Sequence, residues 1–537
     1  MKYTQSDIRG GNKPGYRDDA AKRETGASDR CNNITRWLWY LVCGVSVSLA
    51  APAVFAYPVL WYSDLDSGPV GSYVTVWGKG FGATAGGVKL GSTPANIVSW
   101  RDTKVEFGVP ANSGNGITLQ NTIGQVSNGL PFTTRSGGIF FVSKSMGSNS
   151  NNGLAAAPGS AGVGPWRDLS AAMSKVVAGD VVYVRAGSYP EVLKSSYSTN
   201  LYISGKNGTA GFPIAIVAYP GESATIGGSG STRTGRTIFF EGSSHDWTIA
   251  KFTLTATSSA TQFGGAGDAA RLRLIGNTAS GVGSTYGTLI VKSCSNCKIL
   301  GNHIYNSGTP GNKLAHLIYY GGYGVGNGLE IAWNLLHDEL GGRCIQVYGH
   351  LDGDRLSGLS IHDNIVYNCP YDGILVGASD AAYKPWISDA AVYNNIVYNT
   401  GGGIRIDNPG VAARVLHNTL HDNSTSLKLE AAKSAEARNN ILSLPTSKQV
   451  TITMAGTLTL SHNGYQGTQA APPQDTNPTI GDPLFANASG GDFSLKATSP
   501  FMNKGSALNP VLPKVSVPTD PVPDLGQMQW MVGTVPY

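Results

Sequence analysis

The chain has 537 residues, a formal net charge of +5, 14% charged residues and 71 glycines. That length exceeds one ordinary domain. The small charge excess, with no dense Lys/Arg run or basic helix, argues against nucleic acid as a partner. The Gly-rich, charge-poor composition suits a β-rich exported protein better than a cytosolic helical one.

The first 36 residues are polar, charged and without pattern, and TRWLWYLVCGVSVSLAAPAVFA follows at 35–56. An apolar run ending in small residues, with Arg36 just before it, reads as a signal peptide cut near Ala56. An uncleaved anchor is the alternative, because the run approaches spanning length. Cleavage would leave no stable membrane insertion and a secreted, periplasmic or surface location. Cys31 and Cys43 lie in this leader, which leaves Cys294, Cys297, Cys344 and Cys369. No second Cys/His pair at zinc spacing follows Cys294-x-x-Cys297, and Cys297, at an inward strand position, reads as core filler. A disulfide formed after export stays open, its pairing unreadable here.

Residues 57–135 carry short alternating strands with turn signals every eight to twelve residues, the pattern of a small β-sandwich. Pro69, Gly78-x-Gly80-Phe81-Gly82, a strand around Val88, and Trp100 with Asp102 before Val109-Pro110 resemble the TIG family of immunoglobulin-like modules. The resemblance implies a binding or spacing module without chemistry of its own. A Ser-Gly-Gly link (136–138) follows, so the two units are expected to fold separately.

Beyond the link come Phe141-Val142-Ser143, a Gly/Asn/Ser stretch over 147–153, Pro165-Trp166-Arg167-Asp168-Leu169, and GDVVYVRAGSY at 179–189. These pieces resemble the opening segment of secreted right-handed parallel β-helix proteins of the pectate-lyase-like superfamily. The resemblance implies a short helix over about 169–177 that caps the first coil's apolar end. GDPLFANASGGDFSLKATSPFMNKGSA (481–507) and PDLGQMQW (523–530) are similar to that family's closing segment. The matched span is 139–530, preceded by the TIG-like sandwich at 57–135.

Between Lys292 and Tyr465 one phrase returns, anchored on Asn302, Asn334, Asn364, Asn395, Asn418, Asn440 and Asn463. Apolar residues alternate before each anchor, as on one face of a short strand. A step of 22 or 23 residues, as in the later repeats, holds about three strands and their corners, one coil of a parallel β-helix. The fold class expected is therefore all-β: a right-handed parallel β-helix behind an immunoglobulin-like sandwich. The asparagines read as a corner ladder, each amide bonding the turn backbone.

After each anchor a second strand follows, with inward pairs Leu317/Tyr319, Ile345/Val347, Ile374/Val376, Ile404/Ile406 and Leu427/Leu429. This alignment gives the outward columns Ile318, Gln346, Leu375, Arg405, Lys428 and Tyr320, Tyr348, Gly377, Asp407, Glu430, led by His316 above Cys344 and Gly373. Such a stripe suits a polysaccharide. Loops that lengthen only the first repeats flank it and add His337, Asp338, Arg343, His350, Asp352, Asp354, Asp380, Lys384 and Trp386.

β-Elimination of a uronate needs a group to neutralise the carboxylate and groups to move protons. The catalytic candidates are His316, Arg405, Tyr320 and Asp407; the substrate-binding candidates are Gln346, Arg343, Tyr348, His350, Lys384, Trp386 and Lys428. The expected function is that of an exported polysaccharide lyase acting on an acidic, uronate-containing glycan. The alternatives are a hydrolase with paired carboxylates, such as Asp407 with Asp380 or Asp338, or a non-catalytic glycan-binding surface protein. Arg405, Asp407, Lys428 and Glu430 also read as a surface charge ladder. His337-Asp338 recurs as His421-Asp422 in a bare coil, which favours a corner role. Lys251 is a reserve base. Asp352-Gly-Asp354 resembles part of a calcium loop and leaves Ca2+ as the one cofactor in view. Oligomeric state is not readable.

Overall fold

The computed structural model describes residues 57–508, apart from 196–197, 230–234, 264–268, 352 and 379–385, together with 524–526. The leader, Asp352, Asp380 and Lys384 lie outside the described residues, as does the side chain of Trp386. Among the described residues no helix is long and apolar enough to cross a membrane.

From Ile139 onward the chain winds into stacked coils. One parallel sheet runs from Ile139–Val142 through Val181–Val184 and Ile214–Ala218 to Thr457–Ser461 and Asp475–Thr476. After each corner the chain supplies two more rows of parallel strands, such as Leu335–Glu339 and Arg343–Gly349. In Ile365–Ala378 and Ile396–Asp407 these two rows merge into one bent strand. Inward Val, Ile and Leu from all rows form one continuous core. A single helix, Leu169–Lys175, closes the first coil, packing buried Leu169 and Ala172 on that core.

The asparagine ladder is built as the spacing required. Asn302 Nδ2 donates to Asn334 Oδ1 at 3.0 Å, Asn334 to Asn364 at 2.9 Å, Asn364 to Asn395 at 2.9 Å, and so on to Asn440 and Asn463. Each Oδ1 also accepts the backbone N–H of the asparagine one coil earlier, as Asn364 does from Asn334. The ladder begins a coil earlier than the sequence phrase, at Asn277, and ends on the Asp475 carboxylate, 2.8 Å from Asn463 Nδ2. The residue before each anchor takes a left-handed backbone, including Trp333, Asp363, Asn394 and His417.

Register differs from expectation in one strand. In His316–Gly321 the inward residues are Ile318 and Tyr320, aligned with Ile345 and Val347, so Tyr319 faces outward above Gln346. The run HLIYY has no polar alternation to fix its phase, and a slip of one residue exchanges the faces. His316 consequently leads Arg343, not Cys344. Cys294 is bonded to Cys297 and Cys344 to Cys369, so the core-filler reading of Cys297 gives way to a disulfide.

The sandwich (Val59–Ser63 to Thr133–Thr134) does not stand apart from the helix. Tyr62 and Trp77 stack on each other at 4.9 Å and lie against Trp333, Leu300 and Ile275 at the coil corners, in one shared apolar cluster. Gly301, with φ +63°, permits this approach: an added Cβ would overlap the Tyr62 hydroxyl. The Tyr183 hydroxyl donates to the Tyr73 carbonyl and accepts the Tyr73 N–H. Lys251 Nζ reaches Asp64 at 3.0 Å and Arg273 reaches Asp66 at 2.9 Å. The link is short and glycine-rich, but the interface is both apolar and ionic.

Candidate active site

The strand His316–Gly321 and its successors form the floor of a cleft of about 650 Å3, with Arg236, Tyr286, Lys292, His316, Tyr319, Tyr323, Arg343, Gln346, Tyr348, His350, Arg405 and Asp407 among its lining. Seven residues singled out from sequence therefore converge: His316, Arg343, Gln346, Tyr348, His350, Arg405 and Asp407. They do so because parallel stacking puts equivalent positions of successive coils about 4.8 Å apart. By register Arg405 lies three coils beyond Tyr319, about 14 Å along the axis. Arg343, one coil away, is the nearer guanidinium to His316.

Tyr320 does not belong to the site. Its side chain is 1% exposed within the core, and burial pushes its hydroxyl well above the ordinary range. Tyr319, the residue the slipped register hid, takes the outward place. Its hydroxyl hydrogen-bonds to His350 Nε2. Burial raises the Tyr319 phenol and lowers the His350 imidazole, so both are neutral near pH 7. Tyr323 stacks on His350 at 4.9 Å and Lys292 Nζ sits 4.9 Å over the Tyr323 ring. Burial and the Arg236 charge lower Lys292 from its usual value.

His316 is 1% exposed, and its Nδ1 accepts the Arg343 backbone N–H at 3.2 Å. That bond puts the ring proton on Nε2. Burial first, and the Arg343 charge second, push the imidazole down to about 3. His316 is thus a neutral hydrogen-bond donor in the cleft wall, too weak a base for the proton transfer expected of it.

Behind the floor is a carboxylate that sequence reading missed. Asp372, 3% exposed, meets Lys428 at 2.7 Å, Arg343 Nε at 3.1 Å and Arg405 at 4.0 Å. Burial opposes its ionisation, but the Lys428 and Arg343 charges outweigh it and hold the carboxyl below the usual range. Arg405 also pairs with Asp407 and Glu430, both at 2.8 Å. The outer end of the stripe is therefore the charge ladder anticipated as its bland reading. Arg343 spends one donor on Asp372 and another on Gln346 Oε1 at 2.9 Å. The register shifts between Cys369 and Asp372, so strand alternation read from the sequence does not place Asp372.

Other candidates fall elsewhere. Lys251 is held in the sandwich interface by Asp64, Glu106 and the Thr75 hydroxyl, remote from the cleft lining. His337 pairs with Asp338 at 2.7 Å and stacks between Tyr305 and Tyr367 within the strand Leu335–Glu339, in place of the corner expected for it. Asp354 accepts the N–H groups of Gly324, His350 and Leu351, so it braces the loop carrying His350. Among the described residues no group of three or more His, Cys, Asp or Glu could hold a metal ion.

Comparison with known proteins agrees with this architecture. Residues 236–465 match the family model described as right handed beta helix region. A cyclomaltodextrin glucanotransferase of Geobacillus stearothermophilus is 40% identical over 72 residues, 13% of this chain and 10% of that protein. One from Thermoanaerobacterium thermosulfurigenes is 43% identical over 60 residues, 11% and 8% of the two. This chain thus spans about a tenth of the length of the curated relatives it matches. Among solved structures, pectate lyase Pel9A is 14% identical with a TM-score of 0.44, over 74% of this chain and 96% of that one. A rhamnogalacturonan lyase is 15% identical with a TM-score of 0.40, over 73% and 96%. This chain is a right-handed parallel β-helix protein, with an antiparallel β-sandwich ahead of the helix.

Proposed function

We propose that the chain is an exported carbohydrate-active enzyme, a polysaccharide lyase that cleaves an acidic glycan in the cleft over His316–Gly321. The observation that carries this reading is the cleft's charge. Arg236, Lys292, Arg343 and Arg405 line it, against Asp407 as the one carboxylate among its described lining residues. That balance suits a polyanion, and the one carboxylate among the described lining residues, Asp407, is held by Arg405. In β-elimination the cations stabilise charge on the substrate carboxylate as C5 loses its proton. Arg343 takes the carboxylate, and His316 Nε2–H and Gln346 offer hydrogen bonds to the sugar. The apolar run at 37–56 and the two disulfides support export to an oxidising compartment.

The test is incubation of the purified chain with a panel of uronate glycans, following ultraviolet absorbance of the unsaturated uronate. Product is expected, and Arg343→Ala is expected to lower kcat/KM by about 100-fold. Binding without product would leave a glycan-binding surface protein.

A further inference from the structure

Among the described residues lining the cleft, groups able to move a proton cluster around His350: Tyr319, Tyr323 and Tyr348 contact its ring, and Lys292 lies over Tyr323. The Tyr319 hydroxyl is hydrogen-bonded to His350 Nε2, His350 is fixed by the loop that Asp354 braces, and Tyr323 stacks behind the imidazole. His316 cannot serve as a second base opposite them, because its Nδ1 is occupied by the Arg343 amide. Lys292 sits over the Tyr323 ring, beside the pair and not across the cleft from it.

We infer that Tyr319 and His350 form a single catalytic pair that removes the C5 proton and returns it to the leaving oxygen from the same face of the sugar, so that the substrate is a 4-linked uronate of gluco or manno configuration. This rests on the lyase reading above and narrows it. Tyr319 O–H passes its proton to His350 Nε2, and the phenolate takes H5 from C5. The C5–H electrons form the C4=C5 bond, and the C4–O4 bond breaks with its electron pair left on O4. The reprotonated Tyr319 then gives its proton to O4, and the imidazolium restores the phenol. No outside reagent is consumed.

A one-sided shuttle selects among sugars by geometry. In gluco- and manno-configured uronates the C5 hydrogen and the C4 oxygen lie on the same face of the ring. In galacto- and gulo-configured uronates they lie on opposite faces, and elimination then needs a base and an acid on opposite walls.

The experiment is a comparison of four polymers, β-1,4-glucuronan, polymannuronate, polygalacturonate and polyguluronate, with the full chain and with Tyr319→Phe and His350→Gln. The expected result is unsaturated product from one or both of the first two and none from the last two. Tyr319→Phe should lower kcat by about 100-fold or more with KM within about threefold. Cleavage of polygalacturonate or polyguluronate alone, or a wild-type kcat in Tyr319→Phe, would overturn the pairing while the lyase reading stands. Absence of product from all four would overturn the lyase reading itself.

Discussion

Glu339 shows how one side chain can tie pH to the site. It is 4% exposed, with Oε1 accepting the N–H groups of Gly341 and Gly342 at 3.0 and 2.8 Å and Oε2 without a partner. Those glycines lead into Arg343, whose own N–H feeds His316. Burial raises the carboxyl to about 7, although the backbone amides pull the other way. A group whose pKa is raised on folding stabilises fully below its unfolded value of about 4.3 and loses that contribution as pH rises through 7. Stability should therefore fall by about 3 kcal/mol from this group between pH 4.5 and 8. In urea melts at pH 5 and 8, Glu339→Gln should flatten that slope; an unchanged slope would mean that Glu339 titrates normally.

At the scale of the coil, the asparagine column is the stabilising element. Asn364 accepts from Asn334 and donates to Asn395 Oδ1 and to the carbonyls of Ile331 and His362. Asn364→Ala would orphan buried groups on both neighbouring coils. The expected loss is about 1–3 kcal/mol, read as a lowered melting transition. Repetition made this element legible: the same residue at steps of 32, 30, 31, 23, 22 and 23 shows that coils vary in length while one corner is kept. The early Asn277 escaped notice because its coil lacks the phrase that follows the later anchors.

At the scale of the whole molecule, the sandwich is docked across several coil corners. Asp64 is fully buried, with two backbone amides on Oδ1 and Lys251 at 3.0 Å from Oδ2. Removing the cation leaves a charge in an apolar interface, so Lys251→Ala should cost about 3–5 kcal/mol. Its kcat on any cleaved glycan should stay unchanged, which separates docking from catalysis. A large loss of kcat with normal stability would restore Lys251 as a base. The same interface bears on the expectation that the two units fold separately, which a chain beginning near Gly138 would test. Without the sandwich, Leu300, Ala332 and Trp333 would face water, so such a chain is expected to aggregate.

The sequence alone determined the solenoid and its asparagine corner, because these depend on local period and are repeated several times over. It also marked part of the cleft, since Gln346, Arg405 and Asp407 stand in strands whose alternation is unambiguous. Only the tertiary structure decided which of Tyr319 and Tyr320 faces the cleft, that Asp372 pairs with Arg343, Arg405 and Lys428, and that Lys251 pairs with the sandwich. Each of these turns on a partner from another coil or another domain. A one-residue shift in an all-apolar strand costs nothing in pattern, yet it exchanges core for surface.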